Sequence, residues 1–410
     1  MSVDLETIVS LAKRRGFIFP GSDIYGGLAG TWDYGPYGAE LANNLKNLWW
    51  QMFVTERDDV FGVDAAIIMN PKVWEASGHV AGFADPTADG RKFNTMFKTN
   101  IGAGEEAETT YLRPETAGGM FVNFKNIVDS MHPKLPFGLA QIGKAFRNEI
   151  APRDFIFRAR EFRQMEVEYF IRPNEWEAHF EVWRQAIQAW CRAIGLASDQ
   201  VHELEVPEGE RAHYSKRTID FEFDYPFGRK ELYGLAYRTD FDLQAHGTAS
   251  GVDLSYYDEE TKERFIPHVI EPSLGVDRTI LAVLCSAYTE DELGGEKRVY
   301  LKFKPAIAPI KVAVFPLLKN KPELVTKARE IYQGLKKELG AVVFDDNGNI
   351  GKRYRRQDEI GTPWCLTIDF DTLGEQPELK DTVTVRDRDT GQQTRQPVSD
   401  LISYFNNLLK

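Results

Sequence analysis

Cysteine and histidine are scarce in this chain of 410 residues, three of the first and seven of the second. Cys191, Cys285 and Cys365 are odd in number and far apart, with no neighbouring Cys or His at metal-ligand spacing. A disulfide framework and an ordinary zinc site are therefore excluded, and the three are expected as buried, reduced thiols. No apolar run approaches the roughly 18 residues that a membrane span needs, so no membrane partner is expected. The start, Ser2-Val3-Asp4-Leu5-Glu6, lacks the basic residues and apolar centre of a secretory signal, which makes the cytoplasm the expected location. Neither HExxH nor a nucleophile elbow occurs, which removes metalloprotease and serine-hydrolase chemistry. Positive charge is also in short supply: 50 Lys and Arg against 62 Asp and Glu leave a net charge of -12, so only a local basic patch could serve nucleic acid.

What is present suits a soluble globular chain, 42% hydrophobic and 27% charged, and too long for one ordinary core. Leu5 to Arg15 reads as a helix closed by Gly16, and Gly21 to Gly38 as a loop rich in Gly and Tyr. Pro36 suits the first turn of a long helix. Leu41, Leu45, Leu48 and Met52 recur there at helical spacing through Val54, and Trp49 and Trp50 widen an apolar face that must pack against something large.

From Phe137 the pattern becomes extended: Phe137 to Glu149, Glu161 to Ile171, Thr218 to Tyr225, Lys230 to Asp242 and Ile266 to Glu271 read as strands, with helices over Asn174 to Ile194 and Gly275 to Leu284. Strands with few helices between them predict an antiparallel α+β domain over residues 1–304. Beyond the Pro305 to Pro309 linker the order is strand (Ile310 to Phe315), helix (Pro322 to Leu339), strand (Ala341 to Asp345), helix (Ile350 to Ile360) and strand (Trp364 to Phe370). A hairpin at Asp389-Thr390-Gly391 and a helix from Asp400 follow, so residues 305–410 are expected to form a separate α/β domain.

Two glycine-rich stretches mislead. Gly138 to Ala145 nearly matches a P-loop, but Ala145 stands where a hydroxyl must hold magnesium, and the stretch reads as a strand. Gly102 to Ala107 mimics a dinucleotide fingerprint, yet Glu105 and Glu106 would repel a pyrophosphate, and it reads as a loop.

Other segments carry chemistry. Ala145-Phe146-Arg147-Asn148-Glu149 ends one strand and Glu161-Phe162-Arg163-Gln164-Met165-Glu166 opens the next, with Arg153, Arg158 and Arg160 in the loop between. Phe162, Gln164 and Glu166 share a face by the period of two, which aligns an aromatic plane for an adenine ring with a carboxylate. Arg147 can fork onto an α-phosphate. A solvated, salt-bridged hairpin would show the same residues. Ile270-Glu271-Pro272-Ser273-Leu274-Gly275-Val276-Asp277-Arg278 runs a strand into an apolar helix, where Gly275 permits close approach and Arg278 adds charge to a helix N-terminus suited to a γ-phosphate. An ordinary helix start with a surface Arg reads the same way. Tyr111 to Gly119 is a loop entering a helix, and Lys230-Glu231-Leu232 leads to Ala236-Tyr237-Arg238-Thr239-Asp240, charged where a core strand prefers apolar residues.

Taken in order, Phe-Arg-x-Glu, a variable loop, Arg-Glu-Phe and a distant Gly-x-x-Arg resemble motifs 2 and 3 of the class II aminoacyl-tRNA synthetases, and Pro36 to Val54 resembles the dimer helix of motif 1. Gly30-Thr31-Trp32-Asp33-Tyr34-Gly35-Pro36, Val73-Trp74-Glu75-Ala76-Ser77-Gly78-His79, Arg113-Pro114-Glu115-Thr116-Ala117 and Glu271-Pro272-Ser273 are similar to the dimeric glycyl-tRNA synthetases. The likeness spans nearly the whole chain.

The resemblance implies glycine activation with ATP and Mg2+, transfer to tRNA(Gly), and a homodimer through Pro36 to Val54. It places Arg147 and Arg278 as catalytic arginines on the α- and γ-phosphates. Asn148, Glu149, Phe157, Arg158, Glu161, Phe162, Glu231, Leu232 and Gly275 complete the ATP site, with Glu231 near magnesium. Glycine's ammonium would meet Glu115, Glu166 and Glu271, with Ser273 nearby and Arg238 for its carboxylate. Lys352-Arg353-Tyr354-Arg355-Arg356 supplies a basic patch with an aromatic for tRNA, or else a solvated helix face. Departures from the family are the short Thr87 to Lys92 where a longer insertion is usual, and Gly118 for a common glutamine. Two rivals are a retired synthetase-like nucleic-acid-binding accessory protein, expected to lose the ATP arginines, and a ligase charging a carrier other than tRNA, which need not have an anticodon domain.

Overall fold

The computed structural model of the chain describes residues 3–86, 92–104 and 107–409. Glu105 and Glu106, and the short Thr87 to Lys92 segment apart from the backbone of Lys92, lie outside the described residues.

Helix α1 (Leu5–Arg14) starts where the Asp4 side chain accepts a hydrogen bond from the Thr7 N–H at 2.7 Å. Helix α2 (Pro36–Trp50) starts on Pro36 and continues as one π-helical turn, Gln51–Thr55. Its buried face is Leu41, Ala42, Leu45 and Trp49. Trp49 stacks on Phe53 at 5.4 Å, and Phe53 stacks on Trp183 at 5.8 Å. Leu41, Leu45 and Trp49 of the wide apolar face are thus covered within the chain, while Leu48, Trp50 and Met52 stay half-buried.

Next come strand β1 (Val60–Gly62), the short helices α3 (Lys72–Ala76) and α4 (His79–Gly82), helix α5 (Ala117–Met131), the long strands β2 (Phe137–Phe146) and β3 (Glu161–Ile171), and helix α6 (Trp176–Ala193). Strands β4 (Val201–Glu205), β5 (Arg217–Tyr225) and β6 (Gly228–Thr239), helix α7 (Phe241–Ser250), strand β7 (His268–Gly275) and helix α8 (Val276–Ala287) follow. Seven strands form one sheet in the order β4-β5-β6-β7-β3-β2-β1. Every neighbouring pair is antiparallel except β1 with β2, so the expected antiparallel sheet carries one parallel edge strand. The P-loop lookalike is interior strand β2, and the described part of the fingerprint lookalike, Gly102 to Gly104, follows strand Lys98–Ile101, which pairs with Glu108–Tyr111. Gly143 in β2 is required by close approach: a Cβ there would lie 2.2 Å from a guanidinium nitrogen of Arg113.

A hairpin of β8 (Tyr288–Leu293) and β9 (Glu296–Leu301) leads to β10 (Val312–Pro316), α9 (Pro322–Leu339), β11 (Val342–Phe344), α10 (Ile350–Ile360), β12 (Trp364–Ile368), the antiparallel pair β13 (Thr382–Asp387) and β14 (Gln393–Pro397), and α11 (Leu401–Leu408). Their sheet runs β11-β10-β12-β13-β14, parallel in its first three strands, with its own apolar cluster around Val312, Leu324, Leu366 and Phe405.

Buried charge joins the two sheets' regions. Asp358 of α10, 1% exposed, accepts from Arg386 of β13 at 2.8 and 3.0 Å and lies 3.6 Å from Arg298 of β9, while Arg388 donates to the Phe303 and Gly361 carbonyls. Removing one partner of a buried ion cluster strands the remaining charges. Asp358→Ala is accordingly expected to lower unfolding free energy by ~3–5 kcal/mol, read from chemical denaturation midpoints.

Candidate active site

The period of two places Phe162, Gln164, Glu166 and Glu168 along one face of β3. Register sets Ser273 of β7 opposite Glu166. Glu166, 2% exposed, is held from three directions: Ser273 Oγ donates to Oε1 at 2.5 Å, Gln164 Nε2 to the same oxygen at 3.2 Å, and Thr116 Oγ1 to Oε2. Oxygens of Glu166, Glu168 and Glu271 come within 4.8 Å of one another. Burial first, then repulsion from Glu115, raises the Glu166 carboxyl above its usual range, and burial with repulsion from Glu271 raises Glu168 further. Glu168 is fully buried and neither of its oxygens has a hydrogen-bond partner among the described residues. Glu271 is pushed up to about 8 by burial, despite Arg238, with Glu166 and Glu115 adding to the rise.

Glu115 differs. Burial works against its ionisation, but His79, Arg238 and Arg147 together take its carboxyl down to about 2. Its Oε2 lies 3.3 Å from His79 Nε2. Glu166 and Glu271 thus lie together at mid-strand with Glu115 near them, ionisation being favoured at Glu115 and disfavoured at the other two.

Arg238 does not sit as the sequence suggested. It is 2% exposed, and its Nε and Nη2 donate to Asp242 and its Nη1 to Glu271, all at 2.8–2.9 Å, with the Tyr214 ring 3.7 Å from its guanidinium carbon. Two acidic side chains already meet this cation in the structure.

At the far end of β3 the phosphate-type residues converge. Arg147 follows β2, donates from Nε to Pro114 O at 3.1 Å, and lies 5.0 Å from the Phe83 ring centre and 5.2 Å from that of Phe162. Glu149, 8% exposed, accepts from Arg158 Nε at 2.6 Å, while Arg160 donates to the Glu149 carbonyl, so the acid fastens the arginine-rich loop. Asn148 donates its backbone N–H to Thr95 O at 2.6 Å. Arg278 is 31% exposed, reaches the Glu231 carbonyl at 3.0 Å and its carboxylate at 3.2 Å, and lies 4.5 Å from the Phe157 ring centre.

Several expected contacts are not brought in. Glu161 leaves β3 on the face opposite to Phe162 and pairs with Lys144 of β2. The Leu232 side chain is 1% exposed and packs in the core, leaving only its backbone for a ligand. In the first turn of α8, Asp277 is buried and accepts from Tyr34 Oη and the Arg163 N–H rather than capping the helix, and its carboxylate stands at the end where a γ-phosphate is expected beside Arg278. A Cβ on Gly275 would meet only the Arg278 stem at 3.7–4.0 Å, so packing within the protein does not demand glycine there.

The basic run of α10 is only partly on the surface. Arg353, 1% exposed, donates to the carbonyls of Pro316, Asp346 and Gly348. Tyr354 bonds Thr367 at 2.6 Å and packs on Phe315, Arg355 pairs with Glu296, and Arg356 pairs with Asp345. Lys352 is exposed and Arg355 and Arg356 are half-exposed in their ion pairs, whereas Arg353 and the Tyr354 ring turn inward. From the sequence, His79, Thr116 and Gln164 stand within motifs but carry no assigned role, and Glu168, Tyr214 and Asp242 are not singled out. For Glu168 the signal was present, since it continues the alternation of Phe162, Gln164 and Glu166 on the same face.

Comparison with known proteins gives two family matches: "tRNA synthetase class II core domain (G, H, P, S and T)" over residues 97–287 and "Anticodon binding domain" over residues 311–408. The chain is 48% identical to a glycine–tRNA ligase of Lachnospira eligens over 467 aligned positions, covering 99% of both chains. It is 46% identical to one of Macrococcus caseolyticus over 469 positions, 99% of both, and to those of Staphylococcus aureus over 471 positions, 100% of both. An alignment of 467 positions against 410 residues leaves at least 57 positions of the relative without a counterpart.

Proposed function

The chain belongs to the glycine–tRNA ligases, and on that premise we propose how the residues gathered on the β3 face carry the reaction. It ligates glycine to tRNA with ATP as substrate. Full-length relatives of that one name and the matched anticodon-binding region set aside the accessory-protein and carrier-ligase readings.

Glycine's ammonium lies among Glu115, Glu166 and Glu271, and Ser273 orients Glu166. A buried carboxylate held by three donors beside two more is the observation that carries this reading, because burying such a group without a cationic partner is costly. Arg238 keeps Glu271 in place. The free glycine carboxylate attacks the α-phosphorus of ATP; it is ionised already and needs no general base. The Pα–O bond to pyrophosphate breaks, glycyl-adenylate forms, and the tRNA ribose hydroxyl then displaces AMP from the acyl group. Arg147 meets the α-phosphate, Arg278 the departing γ-phosphate, and Phe162 and Phe157 line the nucleotide site with Glu149 and Arg158. Exclusion of every amino acid larger than glycine suffices for selectivity.

Magnesium fits the acidic side of Arg278: Glu231 faces Glu222 across the β5–β6 pair, and Asp220 is raised to about 6 by burial, then by Glu231 and Glu222. These are the oxygen ligands magnesium prefers, and the ion would neutralise phosphate charge when bound. Residues 1–304 are assigned as the catalytic domain and 305–410 as the anticodon-binding domain, supported by the family matches over 97–287 and 311–408, while Ile307, Ala308 and Ile360 pack into the first region's apolar cluster. A homodimer through α2 rests on the motif 1 likeness, with half-buried Leu48 and Met52 beside it. We place the shortening seen against the relatives at Thr87 to Lys92. No helix among the described residues is long and apolar enough to cross a membrane.

Glycine activation and transfer are separated by comparing ATP–pyrophosphate exchange with charging of tRNA(Gly). Both are expected with glycine and neither with alanine or serine. Exchange without charging would place the missing positions in acceptor-stem recognition, and charging without dependence on Arg147 would sink the site assignment.

The raised carboxyls also fix a pH dependence. A carboxyl raised to about 8 still carries its proton at neutral pH, and an ammonium binds its ionised form. The KM for glycine should therefore fall as pH rises from about 6 towards about 8 and then level, with a proton released on binding. A KM that is flat, or that rises over this interval, would contradict the assignment of Glu271.

A further inference from the structure

The Ser77–Phe83 segment sits between the two substrate sites without an assigned role. His79 opens α4 and Phe83 follows its end, so the two rings share a face, 5.1 Å apart. Ser77 Oγ lies 2.8 Å from His79 Nδ1, and His79 Nε2 lies 3.3 Å from Glu115 Oε2. The imidazole stands edge-on to the fully buried Trp74 ring at 5.6 Å. Four residues on, the Phe83 ring centre lies 5.0 Å from the Arg147 guanidinium, whose other aromatic neighbour is Phe162.

The backbone of this segment is fastened to the strand end that carries Arg147. Asn94 Nδ2 donates to the His79 and Val80 carbonyls at 3.1 and 2.9 Å, Thr95 N donates to Phe83 O at 3.0 Å, and Asn148 N donates to Thr95 O. One rigid turn therefore touches the carboxylate that meets an ammonium and the guanidinium that meets a phosphate. A carboxylate bonded by one oxygen to a fixed imidazole keeps its other oxygen aimed, and a guanidinium lying on an aromatic ring keeps its plane.

We propose that the Ser77–Phe83 segment is a positioning element for both substrates, His79 acting on glycine through Glu115 and Phe83 acting on the α-phosphate through Arg147. This rests on the assignments of Glu115 and Arg147 above. Orientation of two reacting groups from one short turn sets the distance between nucleophile and phosphorus, where small misplacements are costly in rate.

Steady-state pyrophosphate exchange with glycine and ATP varied in turn tests it, with Glu115→Gln and Arg147→Ala as references. His79→Ala is expected to raise the glycine KM ~10-fold or more and leave the ATP KM within about twofold, while His79→Gln, whose amide N–H can replace Nε2–H, recovers most of the loss. Phe83→Leu is expected to lower kcat and raise the ATP KM, each ~3- to 10-fold, with the glycine KM nearly unchanged, and Phe83→Tyr to stay close to the unsubstituted protein. If both substitutions move both KM values alike, or only lower the melting temperature, the segment is scaffolding and the proposal is wrong. If Glu115→Gln leaves the glycine KM unchanged, the Glu115 assignment fails first and the His79 arm with it, while the Phe83 arm is judged against Arg147→Ala.

Discussion

Arg147→Ala should reduce glycine-dependent pyrophosphate exchange by ~10²–10³ in kcat, the loss typical of removing one preorganised donor from a site where charge develops. Three features make the expectation specific. The guanidinium is held from Nε by Pro114 O and lies against Phe83 and Phe162, so its remaining N–H groups are oriented before substrate arrives. It stands at the end of β2, next to the face that carries the carboxylates, so an α-phosphate bound there lies beside the amino-acid pocket. Removing it leaves Pro114 O and the loop fastening by Glu149 intact, so folding should survive and thermal melting should move little. Lysine would not restore the rate, because a point charge cannot reproduce a planar fork between two rings. Exchange within a few-fold of the unsubstituted protein in Arg147→Ala would remove the arginine from the mechanism.

The second large effect is expected at Glu166. Glu166→Gln exchanges a charge-assisted bond to glycine's ammonium for a neutral one, a difference of about 1–1.5 kcal/mol, or roughly a 5- to 13-fold rise in glycine KM. Thr116 and Ser273 are hydroxyls and can turn to accept from the new amide, so the fold itself should tolerate the change. Because burial raises this carboxyl, a glutamine also relieves repulsion with Glu115 and Glu271, and stability should hold or rise. Weaker glycine binding at undiminished stability is therefore the signature, with the ATP KM unmoved. If instead the protein is destabilised and glycine KM is normal, Glu166 is a structural acid and the pocket lies elsewhere.

Long elements were legible in the sequence because they repeat a period many times. The strand Glu161–Ile171 and the helices Pro322–Leu339 and Ile350–Ile360 match the sequence reading residue for residue. Edge strand Val60–Gly62 was not legible, since three residues show no alternation, and Val201–Glu205 hides behind its two glutamates and a histidine. Carboxylates and arginines of the site could be named from motif order, but their partners could not. Arg238 is paired with Asp242, four residues on across a strand-to-helix turn, and bonded to Glu271 from a neighbouring strand; only the fold brings the second to it. In α10, five residues in a row looked like a patch because composition carries no direction. The helical period does, and Arg353, Gln357 and Ile360 at intervals of four and three turn one side inward. Glu161 failed for the matching reason in a strand, where one step along the chain reverses the face.

Amino-acid dependence of ATP–pyrophosphate exchange by the intact chain tests the central claim most directly, because it reads the carboxylate pocket and the phosphate arginines together without tRNA. Glycine is expected to support exchange, with alanine and serine below about one part in a hundred of its kcat/KM, as steric exclusion of a methyl from a crowded pocket requires more than the ~1–3 kcal/mol of one methylene in an open one. Exchange with alanine equal to that with glycine, or none with glycine at all, would contradict the account.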